Sequence, residues 1–277
     1  MCPAIRTAAV RYDPAVRFKL TIEYAGTRYS GWQKQTNART VQGELEHAIA
    51  DAAGTREFEC QGSGRTDAGV HALGQVAHLE VRSTVPPETL RRRINDALPA
   101  DIHVLEIVRA PHRFHARHAA VARSYLYQVS RRRTAFAKPF VWWVKEPLDI
   151  AAMRDAARSF AGMHDFQSFS DDDPAEKSTA VLVDGVTMAD DGDLILVRIV
   201  GSHFLWKMVR RIVGVLVEVG RGAIPPSQID EWLRQPSGAP AKLTAPASGL
   251  FLERVFYEGD EQSHPLVAAV RVAAAKR

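Results

Sequence analysis

Alternating hydrophobic and polar residues near the start of the chain predict a strand with one buried face. The hydrophobic positions of this strand are Val16, Phe18, Leu20, Ile22 and Tyr24, with polar residues between them. A helical period follows, with Thr40 suited to the N-cap and Gly54 to the C-terminal end. The first element pair is therefore a strand followed by an amphipathic helix.

The next residues extend this pair to a β-α-β-β-α-β order. A short strand is predicted near 57–60, and a glycine-rich loop at 62–74 leads into a strand at 75–82. Pro86 and Pro87 precede a second helix that ends near Leu98, and 103–109 again has the pattern of a strand.

The second half of the chain repeats this mixture. Strands are predicted at 123–130 and 250–257, helices at 150–161 and 204–219, and a hairpin at 179–189 and 194–200. Two split β-α-β units predict an α+β protein with RRM-like halves, antiparallel sheets, helices on one face and a cleft between the halves. We place the halves at 16–120 and 121–258, with 1–15 and 259–277 as extensions of little pattern.

Composition excludes several classes of protein. With 46% hydrophobic and 25% charged residues and no apolar run of about 20 residues, the chain has the composition of a soluble globular protein. The first residues have no apolar signal segment, so the expected location is the cytoplasm and no membrane partner is expected. The two cysteines, Cys2 and Cys60, form no C-x-x-C pair and offer neither a disulfide framework nor a zinc site.

The charge distribution points to a polyanion. The net charge is +4 and the isoelectric point about 9.2, but seven arginines fall between 109 and 133 without any acidic residue among them. They are Arg109, Arg113, Arg117, Arg123, Arg131, Arg132 and Arg133. Arginine is suited to bidentate contact with phosphate, which favours nucleic acid, although a solvated arginine-rich face gives the same pattern.

The glycine-rich segment 62–71 contains the most distinctive chemistry. Glycines at 62, 64 and 69 allow close backbone approach and surround one acid, Asp67, with Arg65 two residues away. An ionised, desolvated carboxylate serves as a nucleophile or base, whereas the structural alternative is a tight turn capped by Asp67. The segment lacks the following helix of a dinucleotide fingerprint and the Gly-Lys-Ser/Thr of a phosphate loop, so no nucleotide cofactor is expected.

Seven ordered segments carry a resemblance to a known family. The sequence GRTDAGVH at 64–71, followed by GQV at 74–76, resembles the central motif of the bacterial tRNA pseudouridine synthase A family. Six further matches occur in that family's order: YSGWQKQ at 29–35, TVQ at 40–42, FHAR at 114–117, YLY at 125–127, HDFQSF at 164–169 and FLWKMVR at 204–210. The resemblance extends from about Arg17 to Tyr257.

The resemblance implies an isomerase that converts uridine to pseudouridine in the anticodon stem-loop of tRNA, at positions 38–40. It also implies a homodimer whose two subunits both contact the RNA. The reaction transfers no electrons and no group to or from another molecule, so no metal, redox cofactor or nucleotide is expected. Asp67 corresponds to the essential aspartate, either attacking C1′ or assisting removal of a ribose proton. Arg210 corresponds to its partner and Tyr125 to the residue that contacts the flipped base.

The family motifs also suggest substrate-binding residues. Four come from loops, namely Arg65, Trp32, Gln33 and Gln35, and three lie near the end of the first half, namely Arg113, His115 and Arg117. Structural alternatives remain open for Trp32 and Tyr125 as core aromatics and for Arg210 as a solvated helix residue. The chain departs from the family pattern at 176–179, where an Arg-Thr pair is common, and at Trp206 and Lys207, where histidines are frequent. A non-catalytic RNA-binding protein and a hydrolase are the competing functions.

Overall fold

The computed structural model describes residues 15–272 and shows helices and strands interleaved along the chain. The first half contains β1 (Val16–Tyr24), α1 (Val41–Ala53), β2 (Phe58–Gly62), β3 (His71–Val81), α2 (Pro87–Ala97) and β4 (Ile102–Arg109). The second half contains β5 (Ala120–Ser130), β6 (Trp142–Trp143), α3 (Ile150–Ala157), β7 (Gly162–Asp165), β8 (Ala180–Asp191), β9 (Leu194–Gly201), α4 (Met208–Gly220), α5 (Ser227–Arg234) and β10 (Leu250–Tyr257). The predicted α+β class is confirmed.

Strands of both halves belong to one continuous sheet. Its order is β4-β1-β3-β10-β5-β9-β8-β7, with β2 beside β3 and β6 beside β5. The last strand, β10, joins the halves, because it pairs antiparallel with β5 and parallel with β3. At this junction a Cβ atom added to Gly74 would lie 2.9 Å from the carbonyl oxygen of Glu253, so the close approach of the strands requires glycine.

Helices cover one face of this sheet and form a hydrophobic core in each half. In the first half, side chains of β1 pack against α1 and α2, among them Phe18, Leu20, Leu45, Ile49 and Leu90. In the second half, side chains of β5 and β9 pack against α3 and α4, among them Tyr127, Val197, Met153, Ile212 and Leu216. Thr40 caps α1 by accepting a hydrogen bond from the backbone N–H of Gly43, as the sequence predicted for this position.

The segment after β10 covers the other face of the second half. Hydrophobic side chains of this face pack against residues 266–272; they are Leu126, Leu194, Leu196 and Phe251. The Gln128 Oε1 atom accepts a hydrogen bond from the backbone N–H of Ala269 at 2.7 Å, and Arg198 donates to the carbonyl of His264 at 2.8 Å. The part of the predicted extension that the structure describes, residues 259–272, therefore packs against the sheet. Residues 1–14 and 273–277 lie outside the described residues.

Three elements were not predicted, namely β6, β7 and α5, and some boundaries differ. Strand β3 begins at His71 and β5 at Ala120, a few residues earlier than their patterns indicated. Helix α4 begins at Met208 rather than at residue 204, because Lys207 adopts a left-handed conformation with φ of 64°. Within residues 15–272, no helix is long and apolar enough to span a membrane.

Candidate active site

The loop between β2 and β3 is anchored at both ends and presents Asp67 to a cleft. The Gln75 side-chain amide donates to the carbonyl of Gly64 at 3.1 Å, and its Oε1 accepts from the Ser63 hydroxyl at 2.7 Å. The turn is closed by the backbone, since the Asp67 carbonyl accepts from the N–H of Val70 at 3.1 Å. The carboxylate of Asp67 therefore faces the cleft while the main chain holds the turn.

The residue before Asp67 is fixed from two sides. The Thr66 hydroxyl forms a hydrogen bond with the Tyr24 hydroxyl at 2.8 Å, and its carbonyl accepts from the backbone N–H of Trp32 at 3.1 Å. Gly31 makes room for this contact, since a Cβ atom there would lie 2.5 Å from the Thr66 carbonyl oxygen. This second loop thus supports the loop that carries Asp67.

Arg210 of α4 faces the carboxylate of Asp67 from the other half of the molecule. Its Nη1 lies 3.5 Å from Oδ2 of Asp67, and the two side chains remain 17% and 27% exposed, respectively. Its Nε donates to the carbonyl of Ala245 at 2.7 Å, which fixes the guanidinium independently of Asp67. Burial raises the pKa of Asp67, whereas Arg210, Lys207 and the side chain of Trp206 act to lower it.

The neighbouring arginine, Arg211, has a different environment. It is buried, forms an ion pair with Asp171, and places Nη1 3.5 Å from the carbonyl of Ser168. Arg210, and not Arg211, is therefore the cation beside Asp67. The family motif distinguished the two positions, which hydrophobic periodicity alone did not.

Tyr125 lies on β5, where the two hydrophobic cores meet. Its ring packs against residues of both cores and makes an edge contact with Phe204, with ring centroids 5.0 Å apart. Burial raises the pKa of its hydroxyl, and the nearby Tyr24 and Asp67 raise it further. The hydroxyl is therefore protonated at neutral pH, and the side chain is both a packed residue and a wall of the cleft.

The three residues line one cleft of about 1010 Å³ that is formed by both halves of the chain. Its basic side chains come from several separate segments: Arg65, Arg117, Arg123, Lys177, Lys207 and Arg210. The carboxylates of the lining are Asp67 and Asp172. An excess of cations around a partly enclosed carboxylate suits an anionic ligand that carries a reactive neutral group.

Four of the suggested substrate-binding residues line this cleft, namely Gln33, Gln35, Arg65 and Arg117. Arg65 is exposed and donates through Nε to Oε1 of Gln33 at 3.2 Å. The lining does not include Arg113, which is exposed, or His115, whose ring packs on that of His78 at a centroid distance of 4.5 Å. The arginine-rich stretch is thus divided between the cleft and the surface beside it.

Trp32 corrects the sequence-based interpretation. Its side chain is 2% exposed and belongs to the core of the first half, with the ring 6.0 Å from that of Tyr24. A Cβ atom added to Gly62 would lie 2.6 Å from the indole, so the ring fills the space that this glycine leaves. Trp32 is therefore a core residue and not an RNA-facing one.

Other cleft residues were not predicted to act. Arg123 donates to the carbonyls of Ser63 at 3.1 Å, Arg117 at 2.9 Å and Ser202 at 2.9 Å, so it links segments of the two halves. The sequence showed that Arg123 belongs to the arginine-rich stretch, but not that its side chain donates hydrogen bonds to backbone carbonyls. Trp206 and Lys207 also line the cleft; in the sequence they lie within the matched segment 204–210 and depart from the histidines frequent there.

The described residues show no candidate metal centre. Between residues 15 and 272, no group of three or more histidine, cysteine, aspartate or glutamate side chains is arranged to hold a metal ion. Cys60 is buried and unpaired, and burial raises the pKa of its thiol. Cys2 lies outside the described residues.

Comparison with known proteins identifies the family. Residues 20–118 and 156–258 match the family described as tRNA pseudouridine synthase. The tRNA pseudouridine synthase A of Syntrophotalea carbinolica is 43% identical over 241 residues, which cover 86% of this chain and 95% of that protein. The tRNA pseudouridine synthase A of Pelobacter propionicus is 41% identical over 241 residues, covering 86% and 98%. With such identity over almost the full length of these relatives, the chain belongs to the tRNA pseudouridine synthase family.

Proposed function

We propose that this member of the family isomerises uridine to pseudouridine in the anticodon stem-loop of tRNA, at positions 38–40 by family resemblance. The observation that carries the proposal is the pair of Asp67 and Arg210 in a cation-rich cleft between the halves. A pure RNA-binding surface has no need of a partly buried carboxylate beside an anionic ligand. A metal-dependent nuclease uses several clustered carboxylates, and the carboxylates in the lining of this cleft are Asp67 and Asp172.

The chemistry assigned to Asp67 follows from the bonds that change. The N1–C1′ bond breaks, the uracil rotates, and C5 bonds to C1′; C5 then loses a proton and N1 gains one. Asp67 either attacks C1′ as a nucleophile or assists removal of a ribose proton, and both roles require the ionised form. Arg210 and Lys207 favour that form against the effect of burial. No atom of the reaction is supplied by a cofactor.

Tyr125 is assigned to the flipped base. Its ring lies beside Phe204, which holds it by an edge contact while one part of the ring lines the cleft. A uridine in a stem-loop must leave its stack before C1′ and C5 are accessible, and an aromatic ring recovers part of this cost. Because the hydroxyl is protonated, it can also donate a proton or a hydrogen bond to the detached uracil.

The RNA backbone is assigned to the rim of the cleft. Arg65 and Arg117 are exposed cations of the lining, and Gln33 and Gln35 supply amide groups next to them. Arg113 and His115 lie outside the lining and are assigned to RNA farther from the reacting uridine. A homodimer in which the RNA touches both subunits, and a location in the cytoplasm, remain predictions from the family resemblance.

A product assay on synthetic anticodon stem-loops tests the proposal. The full-length protein is incubated with a stem-loop whose uridines at positions 38–40 are labelled, and the RNA is digested to nucleosides. Pseudouridine at one or more of these positions supports the proposal. Unchanged RNA supports the non-catalytic alternative, and shortened RNA or free uracil supports the hydrolase; either result overturns the proposal.

A further inference from the structure

An exposed tryptophan stands on the wall of the cleft close to the reactive carboxylate. Trp206 is 52% exposed and lines the cleft, and its side chain favours the ionised form of Asp67. Trp32, by contrast, is 2% exposed. A large aromatic surface left open beside a binding site is typical of a contact that a ligand completes.

The turn that carries Trp206 is held in place by two acidic residues. Asp172 accepts a hydrogen bond from the backbone N–H of Trp206 at 3.0 Å, and the N–H of Asp171 donates to the Trp206 carbonyl at 3.2 Å. Asp171 also pairs with Lys207 at 2.5 Å. The left-handed conformation of Lys207, with φ of 64°, is thus stabilised by an ion pair on its own side chain.

Lys207 adds a cation to the aromatic surface. Its Nζ lies 4.8 Å from the centroid of the Trp206 ring, and its side chain remains 33% exposed. The ammonium group thus lies against the indole, and the 52% exposure of Trp206 leaves ring surface for a planar ligand. An aromatic ring next to a cation is the arrangement that binds a nucleobase together with its phosphate.

We propose that Trp206 is the stacking platform for a nucleotide adjacent to the target uridine, with Lys207 contacting the phosphate between them. This inference rests on the proposed function. The target uridine is assigned to Asp67 and Tyr125. Trp206, an exposed residue of the same cleft, is therefore assigned to the nucleotide next to the uridine along the RNA strand. Stacking on an aromatic ring tolerates every base, so the platform adds affinity and position without selecting one sequence.

The test is a coupling measurement between Trp206 and the neighbouring nucleotide. Stem-loops with an abasic residue on the 5′ side, the 3′ side or neither side of the target are bound to the wild-type protein and to Trp206→Leu. We expect Trp206→Leu to weaken binding of the intact stem-loop by about 5- to 150-fold, the range for loss of one stacked base. An abasic residue on one side should weaken wild-type binding similarly and leave Trp206→Leu binding unchanged.

Two control variants separate stacking from structural damage. Trp206→Phe keeps a ring and should retain most of the coupling. Trp143→Leu removes another exposed tryptophan, 42% exposed and outside the cleft lining, and should change affinity by less than about twofold. Lys207→Gln should remove about one phosphate contact. The slope of log K against log salt should then fall by roughly 0.7, the value for a single strand.

Failure of this inference is distinguishable from failure of the proposed function. Suppose that the wild-type protein forms pseudouridine, but Trp206→Leu weakens binding equally for the intact stem-loop and for the stem-loops abasic on the 5′ or the 3′ side. The stacking proposal is then wrong, and the proposed activity stands. If no pseudouridine forms, the proposed function fails, and the platform falls with it as a feature of this reaction. Equal losses of RNA affinity in Trp206→Leu and Trp143→Leu would also overturn the stacking proposal.

Discussion

Two of the arginine–carboxylate pairs in the structure, Arg198–Glu253 and Arg210–Asp67, have opposite properties. Arg198 and Glu253 are 8% and 7% exposed and share two hydrogen bonds, at 2.7 Å from Nε and 2.5 Å from Nη2. The Ser124 hydroxyl donates to the same carboxylate at 2.6 Å. Arg210 and Asp67 meet at a single contact of 3.5 Å in an open cleft.

The difference in contacts changes the acidity of the two carboxylates. Burial raises the pKa of each, but for Glu253 the bonds from Arg198 and Ser124 outweigh it and the pKa is lowered. For Asp67 burial prevails over Arg210 and the pKa is raised. A fully bonded carboxylate holds the fold together, whereas an incompletely bonded one retains its affinity for a new partner. The comparison therefore indicates that Arg198 and Glu253 stabilise the fold, whereas Arg210 and Asp67 are available to act on a substrate.

The largest effect expected from this comparison is the loss of activity in Asp67→Asn. Removing the nucleophile or base should lower the single-turnover rate by about 10²–10⁴-fold or more, while tRNA affinity remains close to that of the wild type. A raised carboxyl pKa means that the folded state binds more protons above pH 3.8, so ionisation of Asp67 lowers stability as pH rises. The variant should therefore melt no lower than the wild type at neutral pH. A near wild-type rate would remove Asp67 from the reaction.

Arg198→Ala should have the converse effect, a large loss of stability with the chemistry preserved. Leaving Glu253 buried without its cation should lower the free energy of unfolding by about 3–5 kcal/mol, measured by denaturant titration. Activity per folded molecule should stay within a few-fold of the wild type.

The pH dependence of stability tests whether the lost charge pair destabilises Arg198→Ala. The pKa of Glu253 is lowered in the folded state. The ionised Glu253 therefore stabilises the fold at pH values above its unfolded pKa of 4.5, and this stabilisation is lost as pH falls through its folded pKa. The stability gap between Arg198→Ala and the wild type should therefore narrow on acidification. A constant gap would show that lost packing, not charge, explains the variant.

Arg210→Ala and Arg211→Ala sharpen the comparison within one helix. We expect Arg210→Ala to lower the single-turnover rate by about 100-fold, because it removes the fixed cation beside Asp67. Arg211→Ala should mainly lower stability, because Arg211 is buried against Asp171. Equal rate losses would show that Arg210 acts through general positive charge.

Tyr125 tests the aromatic part of the site with two substitutions. Tyr125→Leu removes the ring and should weaken both turnover and affinity, by about 1–3 kcal/mol for the lost stacking. Tyr125→Phe keeps the ring and should lose turnover more than affinity, since only the hydroxyl is removed. Single-turnover rates and dissociation constants on one stem-loop measure both. Wild-type turnover in both variants would leave Tyr125 as a core residue only.

The smallest effect expected is in the salt dependence of RNA binding. Arg117→Gln should reduce the slope of log K against log salt by about 0.7–0.9, because Arg117 is an exposed cation of the cleft. Arg113→Gln, a matched change outside the lining, reports whether the RNA extends beyond the cleft. A slope unchanged in both variants would place the RNA on another surface.

Local pattern predicted much of the fold. The alternation in β1 and the capped helix α1 appear at the positions that periodicity indicated, because each has one buried face and a clear end signal. The strands β6 and β7 and the helix α5 were not predicted. Strands of two and four residues are too short to show a hydrophobic period. The joining of two sheets into one by β10 is a long-range pairing that no local pattern records.

The candidate site was predicted where a motif fixed each residue in place. Asp67, Arg210 and Tyr125 came from ordered motifs, and the structure brings them into one cleft. Trp32 was misjudged because a tryptophan in a polar loop has the same local pattern whether it faces inward or outward. Its burial depends on Gly62, thirty residues later, which leaves room for the ring. Arg123 was overlooked because a guanidinium that binds backbone carbonyls resembles one that binds phosphate.

The position of β10 also sets when the site is assembled during synthesis. Asp67 lies on a segment made early, and Arg210 on one made late, but the strand that joins their halves is encoded by residues 250–257 of 277. A chain emerging from the ribosome therefore holds both reactive side chains well before the strand between β3 and β5 is available. The cleft reaches its final form only after β10 has been synthesised. A chain truncated before residue 250 therefore contains Asp67 and Arg210 but lacks the strand that positions the two halves.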